Sequence, residues 1–542
     1  MKEKKEESNN SSSSIEKRKS KLRKFFFGWI KDNYDKTFLI ILLIAFAIRL
    51  YIFFQTMDQP LWWDAADYLA TAKRWAGLNP NLIDMWYYRR GFLWPLIGAF
   101  FFKLNLGETG IRFLMTLFST GIIFVSYHLI KKMFNKKLAI LTSIGLTASW
   151  IYLFFTGRLL TNLPATFFLL TFLFLFWKGY VLKEGNKFLY LSAIFFALSV
   201  LTRMQYIMFI IPILFLVFSR EKFKFFLNKK LWITLGIFLL ILIPQMVIHY
   251  QHFGNPLADL TKYYLGVGSS QSEEVGVSLT KTSNLFLYFN NLPYILDGNQ
   301  QGYSSLFTFS PVYILFIIGI FLFFADLFLG FDKIFKNEEL QKKLFIFIWI
   351  ISTFLFLGYI APQLEQRYIM QTLPFLFLIA SYSVIKIGIF IRQKLKTKNK
   401  TFFIIFLIIF ILLLTPNLFF GNKLINEKLT SYIEIKQAGE WIKANSNPED
   451  IVISDSLSQI TYYSERSTYP FDLAYRRDIS HGNETDFYEF VESEKPRYMI
   501  LSIFEQSAEW AYSYPQSNFE KITLVQSYNQ GNQPVLGIYE FN

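Results

Sequence analysis

Eleven apolar runs set the character of this chain, at roughly 37–55, 110–130, 138–156, 161–182, 188–202, 204–219, 231–249, 307–331, 343–361, 368–391 and 401–420. A hydrocarbon core of about 30 Å is crossed by about 20 residues of helix, and several of these runs are long enough. Lipid offers backbone groups no partner, so each run is expected to be helical. Of 542 residues, 53% are hydrophobic, 63 are Phe and only 18% are charged. That balance excludes soluble one-domain and disordered chains. There is no cysteine, which removes disulfides, thiolate nucleophiles and Cys-held metals.

The charge pattern predicts the threading. Lys and Arg outnumber Asp and Glu, 55 to 40. Residues 1–36 are polar and basic around a Ser11–Ser14 run, with no small-residue cleavage site after the first apolar segment, as expected of a disordered cytoplasmic tail and not of a signal peptide. Residues 91–105 are apolar but short and carry Pro95, and are expected to form an interfacial or re-entrant helix. Lys131 to Lys137, Lys183 and Lys187, Arg220 to Lys230, Lys333 to Lys343 and Arg392 to Lys400 then all lie on the side of the N-terminal tail. Every basic loop is cytoplasmic on this reading. Basic residues spread over many short loops also argue against nucleic acid as a partner.

The expected architecture is an α-helical polytopic membrane protein of about eleven transmembrane helices, with interfacial helices in the first outer loop and a small C-terminal extracytoplasmic α/β domain. Its divisions are the tail 1–36, a transmembrane domain 37–420 with outer loops 57–109 and 250–306, and the α/β domain 421–542. In that last part, helix-like stretches (Thr430–Ala444, Thr485–Ser493) alternate with short apolar strands (Ile451–Ser454, Tyr498–Ile503, Ile522–Gln526, Val535–Tyr539).

Chemistry concentrates on the outer side. Asp64 and Asp67, three residues apart, share a helix face beside Trp62, Trp63 and Tyr68. A carboxylate there can act as a general base; the alternative is an ordinary interfacial helix with an aromatic belt and water-facing acids. Tyr88, Arg89 and Arg90 follow in the same loop, and Arg158 and Arg203 sit at outer helix ends. Snorkelling explains any one of these arginines. Four on the side that the charge rule disfavours point to an anionic ligand such as a lipid phosphate, which guanidiniums grip by charge-assisted hydrogen bonds. Glu365, Arg367 and Tyr368 occupy a late outer connection, where Glu365 and Arg367 are expected to pair with each other or with a ligand. His128, His249, His252 and His481 lack metal-ligand spacing beyond the adjacent pair His249 and His252. Asn483-Glu484-Thr485 is a glycosylation sequon. Phosphate-cradling Gly-rich loops, serine-hydrolase elbows and zincin motifs are absent from the sequence.

Taken in order, these segments resemble the GT-C-fold glycosyltransferases, integral membrane enzymes that take sugar from a polyprenyl-phosphate carrier, as in the protein O-mannosyltransferase and aminoarabinose transferase group. Trp63-Asp64-Ala65-Ala66-Asp67-Tyr68-Leu69 is similar to their first-loop Asp-Glu motif, with Ala65 where Glu is usual. Arg89-Arg90-Gly91-Phe92-Leu93-Trp94-Pro95 is similar to the Arg-and-Pro segment that follows. Arg158-Leu159-Leu160-Thr161-Asn162-Leu163-Pro164-Ala165 is similar to an Arg-x-x-Thr-acid-x-Pro-Ala stretch, with Asn162 in place of the acid. Leu201-Thr202-Arg203, and Glu365-x-Arg367-Tyr368 with Leu373-Pro374, complete the set.

The resemblance implies transfer of a sugar from a polyprenyl-phosphate carrier to a hydroxyl acceptor on the extracytoplasmic face, with inversion. It makes Asp64 the general base, with Asp67 as its neighbour in the catalytic pair. Arg89, Arg90, Arg158, Arg203 and Arg367 become donor-phosphate contacts, and Tyr68, Tyr88, Asn162, Glu365 and Tyr368 acceptor or substrate contacts. A divalent cation beside Asp67 is the one candidate cofactor; membrane lipids are the remaining partners. The competing classes are a lipid-linked sugar transporter and a non-catalytic GT-C-like descendant. A transporter would favour ionisable groups near the bilayer midplane.

Overall fold

The computed structural model describes residues 28–79, 82, 86, 90–258, 261, 284–298, 311–360, 364–395, 399–472 and 484–542. Tyr88, Arg89, His481 and Asn483, with most of the expected loop 250–306, lie outside the described residues.

Every expected apolar run is met by helix. The helices are α1 Asn33–Thr56, α2 Trp63–Trp75, α3 Leu93–Lys103, α4 Gly107–Met133, α5 Lys136–Ala148, α6 Trp150–Thr156, α7 Asn162–Phe176, α8 Asn186–Thr202, α9 Ile210–Glu221, α10 Lys229–Phe253, the short α11 Leu287–Asn290 and α12 Leu292–Asp297, then α13 Pro311–Leu329, α14 Glu338–Ile360, α15 Leu373–Leu395 and α16 Asn399–Glu427. Among the described residues, 8 helices are long and apolar enough to cross a membrane, or up to 9 if a bent pair counts as one span. The helices α8 and α9 are shorter than a bilayer requires of an upright span. With 11 residues, α3 is far too short to cross. This is a multi-pass membrane protein.

The run 138–156, expected as one span, is instead two helices, α5 and α6, meeting at 51°. Ser149 takes an extended conformation (ψ 116°) and ends the first ladder. A break inside the bundle leaves carbonyls without their usual donors. One of them, on Leu146, accepts from Arg49 Nη2 at 3.3 Å.

The C-terminal unit is a three-layer α/β arrangement. It comprises α17 Ile433–Asn445, β1 Ile451–Ile453, α18 Leu457–Ser464, β2 Ser467–Tyr469, α19 Glu484–Glu494, β3 Tyr498–Ser502, α20 Glu509–Ser517, β4 Ile522–Gln530 and β5 Gln533–Phe541. Strand order is β2-β1-β3-β5-β4. β1 runs parallel to β2 and β3, and β5 antiparallel to β3 and β4. Alternation along the strands feeds two cores. Val452, Ile500 and Ile538 pack against Ile435 and Ile442 of α17, while Ile453 and Met499 pack against Phe487, Phe490 and Tyr514 on the other face. β2, α18 and α20 are elements that the sequence pattern did not mark, because each is short and only partly periodic.

This unit clamps the entry to α2. The backbone N–H of Leu61 donates to Tyr463 Oη at 2.7 Å, and its carbonyl accepts from Gln459 Nε2 at 2.8 Å. Further along α2, Lys73 pairs with Glu465 at 3.0 Å. Tyr462 Oη donates to Glu108 at 2.7 Å. Both backbone groups of a residue three positions before Asp64 are thus held by the C-terminal unit, which fixes where the acid-bearing helix starts.

Candidate active site

Five separated segments converge: the first two turns of α2, residues 90–92, Thr161 and Asn162, the end of α8 at Arg203, and residues 365–371. Gly91 makes part of this possible. A Cβ there would meet the Leu201 carbonyl oxygen at 2.0 Å, so only glycine lets the Arg90 segment lie against the end of α8. Gln245 of α10 holds the same strip, accepting from Phe92 N at 3.2 Å and donating to the Arg90 carbonyl at 3.3 Å.

Asp64 is the centre of the charge cluster. Its Oδ1 accepts from Arg90 Nη2 at 3.1 Å and its Oδ2 from Arg367 Nη1 at 3.3 Å. Arg90 Nη1 reaches Asp67 Oδ2 at 2.8 Å. Asp67 is sealed beneath Arg90, with 4% of its side chain exposed against 37% for Asp64. Of these two acids, Asp64 is therefore the one whose carboxylate is accessible. Burial pushes the Asp64 pKa up, but Arg90, Arg367 and Arg203 outweigh it and hold the carboxyl below its ordinary value. Asp64 is ionised at neutral pH. Arg367 also pairs with Glu365 at 3.1 Å, and its own pKa is raised: burial alone would lower it, and Tyr368, Asp64 and Glu365 more than compensate.

Arg203 differs from its neighbours. Its Nη1 donates to Thr161 Oγ1 and Asn162 Oδ1, both at 3.3 Å, and its guanidinium lies 4.6 Å from the Tyr368 ring. With the Gln205 amide oxygen turned toward it, Nε and Nη2 are met at 2.7 and 2.9 Å. All these partners are neutral. Arg203 is near enough to act on the Asp64 charge, but among the described residues no carboxylate forms an ion pair with it. Asn162 ties the cluster together by donating to the Arg367 carbonyl at 3.2 Å. Tyr68 lies below Arg90, 5.3 Å from ring to guanidinium, and burial raises its pKa.

The structure thus brings together Asp64, Asp67, Tyr68, Arg90, Asn162, Arg203, Glu365, Arg367 and Tyr368. It does not bring in Arg158, whose guanidinium lies 3.6 Å from the Trp62 ring and 4.9 Å from that of Phe154, with no hydrogen bond to the cluster among the described residues. The expected divalent cation does not fit the acids present: both oxygens of Asp64 and one of Asp67 already accept from guanidiniums. Among the described residues no group of three or more His, Asp or Glu side chains is placed to hold a metal. His249 instead meets Gln245 at 2.7 Å, bracing the Arg90 strip, and His128 sits edge-on to Trp29 and Phe124.

Sequence reasoning passed over Gln245, Tyr288, Arg49 and Arg112. Tyr288 Oη lies 3.3 Å from the backbone of Glu365. Nothing in the pattern marks Gln245 or Tyr288. The two arginines did leave a signal, since each is a charge inside an apolar run.

Residues 89–248 match the family model described as dolichyl-phosphate-mannose-protein mannosyltransferase. No curated protein matches the sequence. Among solved structures, ArnT from Cupriavidus metallidurans bound to undecaprenyl phosphate is similar at 13% identity and a TM-score of 0.61, over 92% of this chain and 97% of that one. The Archaeoglobus fulgidus oligosaccharyltransferase tethered with an acceptor peptide is similar at 13% identity and a TM-score of 0.58, over 93% and 74%. A complex of the archaeal oligosaccharyltransferase AglB from the same organism with an inhibitory peptide and a dolichol-phosphate aligns at 14% identity and a TM-score of 0.54, over 86% and 69%. Identities this low speak for the fold, and they agree on it across nearly the whole chain: this is a membrane protein with the GT-C fold of the membrane glycosyltransferases.

Proposed function

We propose that the protein transfers a sugar from a polyprenyl-phosphate carrier to a hydroxyl acceptor, on the extracytoplasmic face of a cell membrane, with inversion at the anomeric carbon. The observation that carries this reading is an ionised, accessible Asp64 with Arg203 nearby, whose hydrogen-bond partners among the described residues are neutral. An acid that accepts a proton and a cation awaiting an anion are the two groups such a displacement needs. The ligands of these similar structures, undecaprenyl phosphate and dolichol-phosphate, support a lipid phosphate as that anion.

In the reaction, the Asp64 carboxylate takes the proton of the acceptor hydroxyl as its oxygen bonds to the anomeric carbon. The bond from that carbon to the phosphate oxygen breaks, and its electron pair leaves with the polyprenyl phosphate. Arg203, with Arg90 and Arg367, meets the charge growing on that phosphate. Arg90 and Arg367 begin paired with Asp64, so an arriving phosphate competes for them and frees the carboxylate for the acceptor. Tyr68, Asn162 and Tyr368 line this arrangement as substrate contacts, with Glu365 orienting Arg367. Asp67 holds Arg90 from behind. The extracytoplasmic placement rests on the basic loops opposite to this end of the bundle. Incubating the purified protein with defined polyprenyl-phosphate sugars and measuring released polyprenyl phosphate tests the proposal; no release with any sugar and a set of hydroxyl acceptors would defeat it.

A further inference from the structure

Helix α10 turns one narrow stripe inward. Of its 25 residues, Phe238, Leu242, Gln245 and His249 are the buried ones, one helical turn apart in succession. The two nearest its C-terminal end are polar. Polar side chains inside a membrane helix are costly and are kept where they serve a site. Gln245 is 1% exposed and His249 0%.

The backbone fixes which way the Gln245 amide points. Its oxygen accepts from Phe92 N at 3.2 Å, and its nitrogen donates to the Arg90 carbonyl at 3.3 Å. Turning the amide over would set its oxygen against that carbonyl and its N–H groups against the Phe92 N–H, so the strip permits one orientation. The second N–H of the amide is then the one that meets His249 Nε2, at 2.7 Å. Nε2 must be the acceptor. A neutral imidazole accepts at one nitrogen and carries its proton on the other, whereas an imidazolium donates at both. A proton on Nε2, in either form, would put N–H against N–H.

We propose that His249 is a positioning residue for Arg90, acting through Gln245 as a neutral ring protonated on Nδ1. Removing the Nε2 acceptor leaves a buried amide N–H unmet, which is costly and loosens the amide from its backbone partners. Those partners are the carbonyl of Arg90 and the N–H of Phe92, on either side of Gly91. The amide thereby sets the place from which the Arg90 side chain reaches Asp67 at 2.8 Å and Asp64 at 3.1 Å. His249 thus acts at two removes from the acids. The tautomer and the brace stand on hydrogen bonding alone, and their effect on the donor rests on the glycosyl-transfer reading.

The test uses the purified full chain with isotope-labelled histidines, the ring-nitrogen resonances lost in His249→Gln being those of His249. At neutral pH they are expected to show a neutral ring with its proton on Nδ1. An Nε2–H tautomer or an imidazolium overturns the proposal. His249→Gln sets an amide oxygen close to the place of Nε2, whereas His249→Leu removes the acceptor. Hydrogen exchange at Phe92 and affinity for a polyprenyl phosphate are expected to stay near wild type in the Gln variant. In the Leu variant exchange should quicken and affinity fall about 3- to 10-fold, the scale of one neutral hydrogen bond. Exchange in His249→Leu as slow as in the wild type overturns the proposal, and so does a Gln variant as loose as the Leu variant. The ring resonances decide alone if His249→Leu fails to fold. The expected tautomer and exchange in a wild type that binds no polyprenyl phosphate would sustain the brace and count against the transfer reading only.

Discussion

Arg367 Nη1 lies 3.3 Å from Asp64 Oδ2, although 303 residues of chain separate them. One side chain starts the helix after the first span, and the other sits in the short turn before Leu373-Pro374. Neither has meaning alone: an isolated interfacial aspartate is a surface charge, and an isolated arginine there is an ordinary helix-end cation. Brought together with Arg90, they hold a partly exposed carboxylate ionised.

Asp64→Asn keeps the size of the side chain but cannot take a proton. Turnover is expected to fall about 10²–10⁴-fold, the usual contribution of a general base, while donor binding survives. Asp67→Asn should act differently, loosening Arg90 and weakening donor binding more than the chemical step. Released polyprenyl phosphate and donor affinity, measured for both variants, separate the roles. Near-normal turnover in Asp64→Asn with loss in Asp67→Asn would reverse the assignment.

Arg203→Ala removes the guanidinium whose hydrogen-bond partners among the described residues are neutral. A charge-assisted contact is worth roughly 1.5–3 kcal/mol, so donor affinity should drop about 10- to 100-fold. Arg203→Lys restores the charge but not the fork and should recover part of the loss. Titration with a polyprenyl phosphate checks this, and unchanged affinity in the alanine variant would place the donor elsewhere.

The pH dependence follows from the sign of the Asp64 shift. Its folded pKa is held below the ordinary carboxylate value, because burial, which raises it, is outweighed by Arg90, Arg367 and Arg203. The stabilisation is present above the unfolded value and is lost as pH falls through the folded one. The acid limb of activity should therefore lie below the usual carboxylate range, leaving the neutral region flat with respect to this group. Arg367→Gln removes an opposing charge and should move that limb to higher pH. An acid limb that stays in place in this variant would show that Asp64 does not control it.

Much of this was legible before any fold was known, and the division has physical causes. Apolar runs encode helices directly, because lipid allows little else, and the charge of short loops orders them. The cluster was legible residue by residue, since arginines on the side expected to be extracytoplasmic run against the charge rule. What the sequence does not encode locally is pairing. Nothing near Arg203 says that its partners are neutral, and nothing near Arg158 says that it turns away from the cluster to stack on Trp62. The break at Ser149 was equally hidden, as both halves of 138–156 are apolar and the residue that stabilises the bend, Arg49, is almost 100 positions away.

The proposed orientation can be read chemically, because the chain has no cysteine of its own. A single cysteine at Lys137 should react only with reagents that reach the cytoplasm, and one at Asn447 in the C-terminal unit should react from outside. The reverse pattern would invert the topology and move the cleft to the cytoplasmic face.

Arg49 offers the sharpest check on how the fold serves the site. It is fully buried in α1, roughly 10 Å short of the helix end by the ~1.5 Å rise per residue. It donates to Ser119 Oγ at 2.7 Å, to the Ala45 carbonyl at 3.2 Å and to the Leu146 carbonyl at 3.3 Å. Two effects oppose each other in Arg49→Met. Leaving the Leu146 carbonyl unmet costs about 1–3 kcal/mol, but no acid is orphaned, and removing a desolvated charge offsets much of that. Global stability should therefore change little. The local consequence is larger, because the bend between α5 and α6 loses its brace, and α6 leads directly through Gly157 and Arg158 to Thr161 and Asn162, which hold Arg203. Hydrogen exchange across Trp150–Thr156 is expected to quicken, with donor affinity falling in parallel with that of Arg203 variants. A variant with unchanged exchange in this segment and unchanged donor affinity would make Arg49 a passive occupant of the bundle and leave the bend to be explained by Ser149 alone.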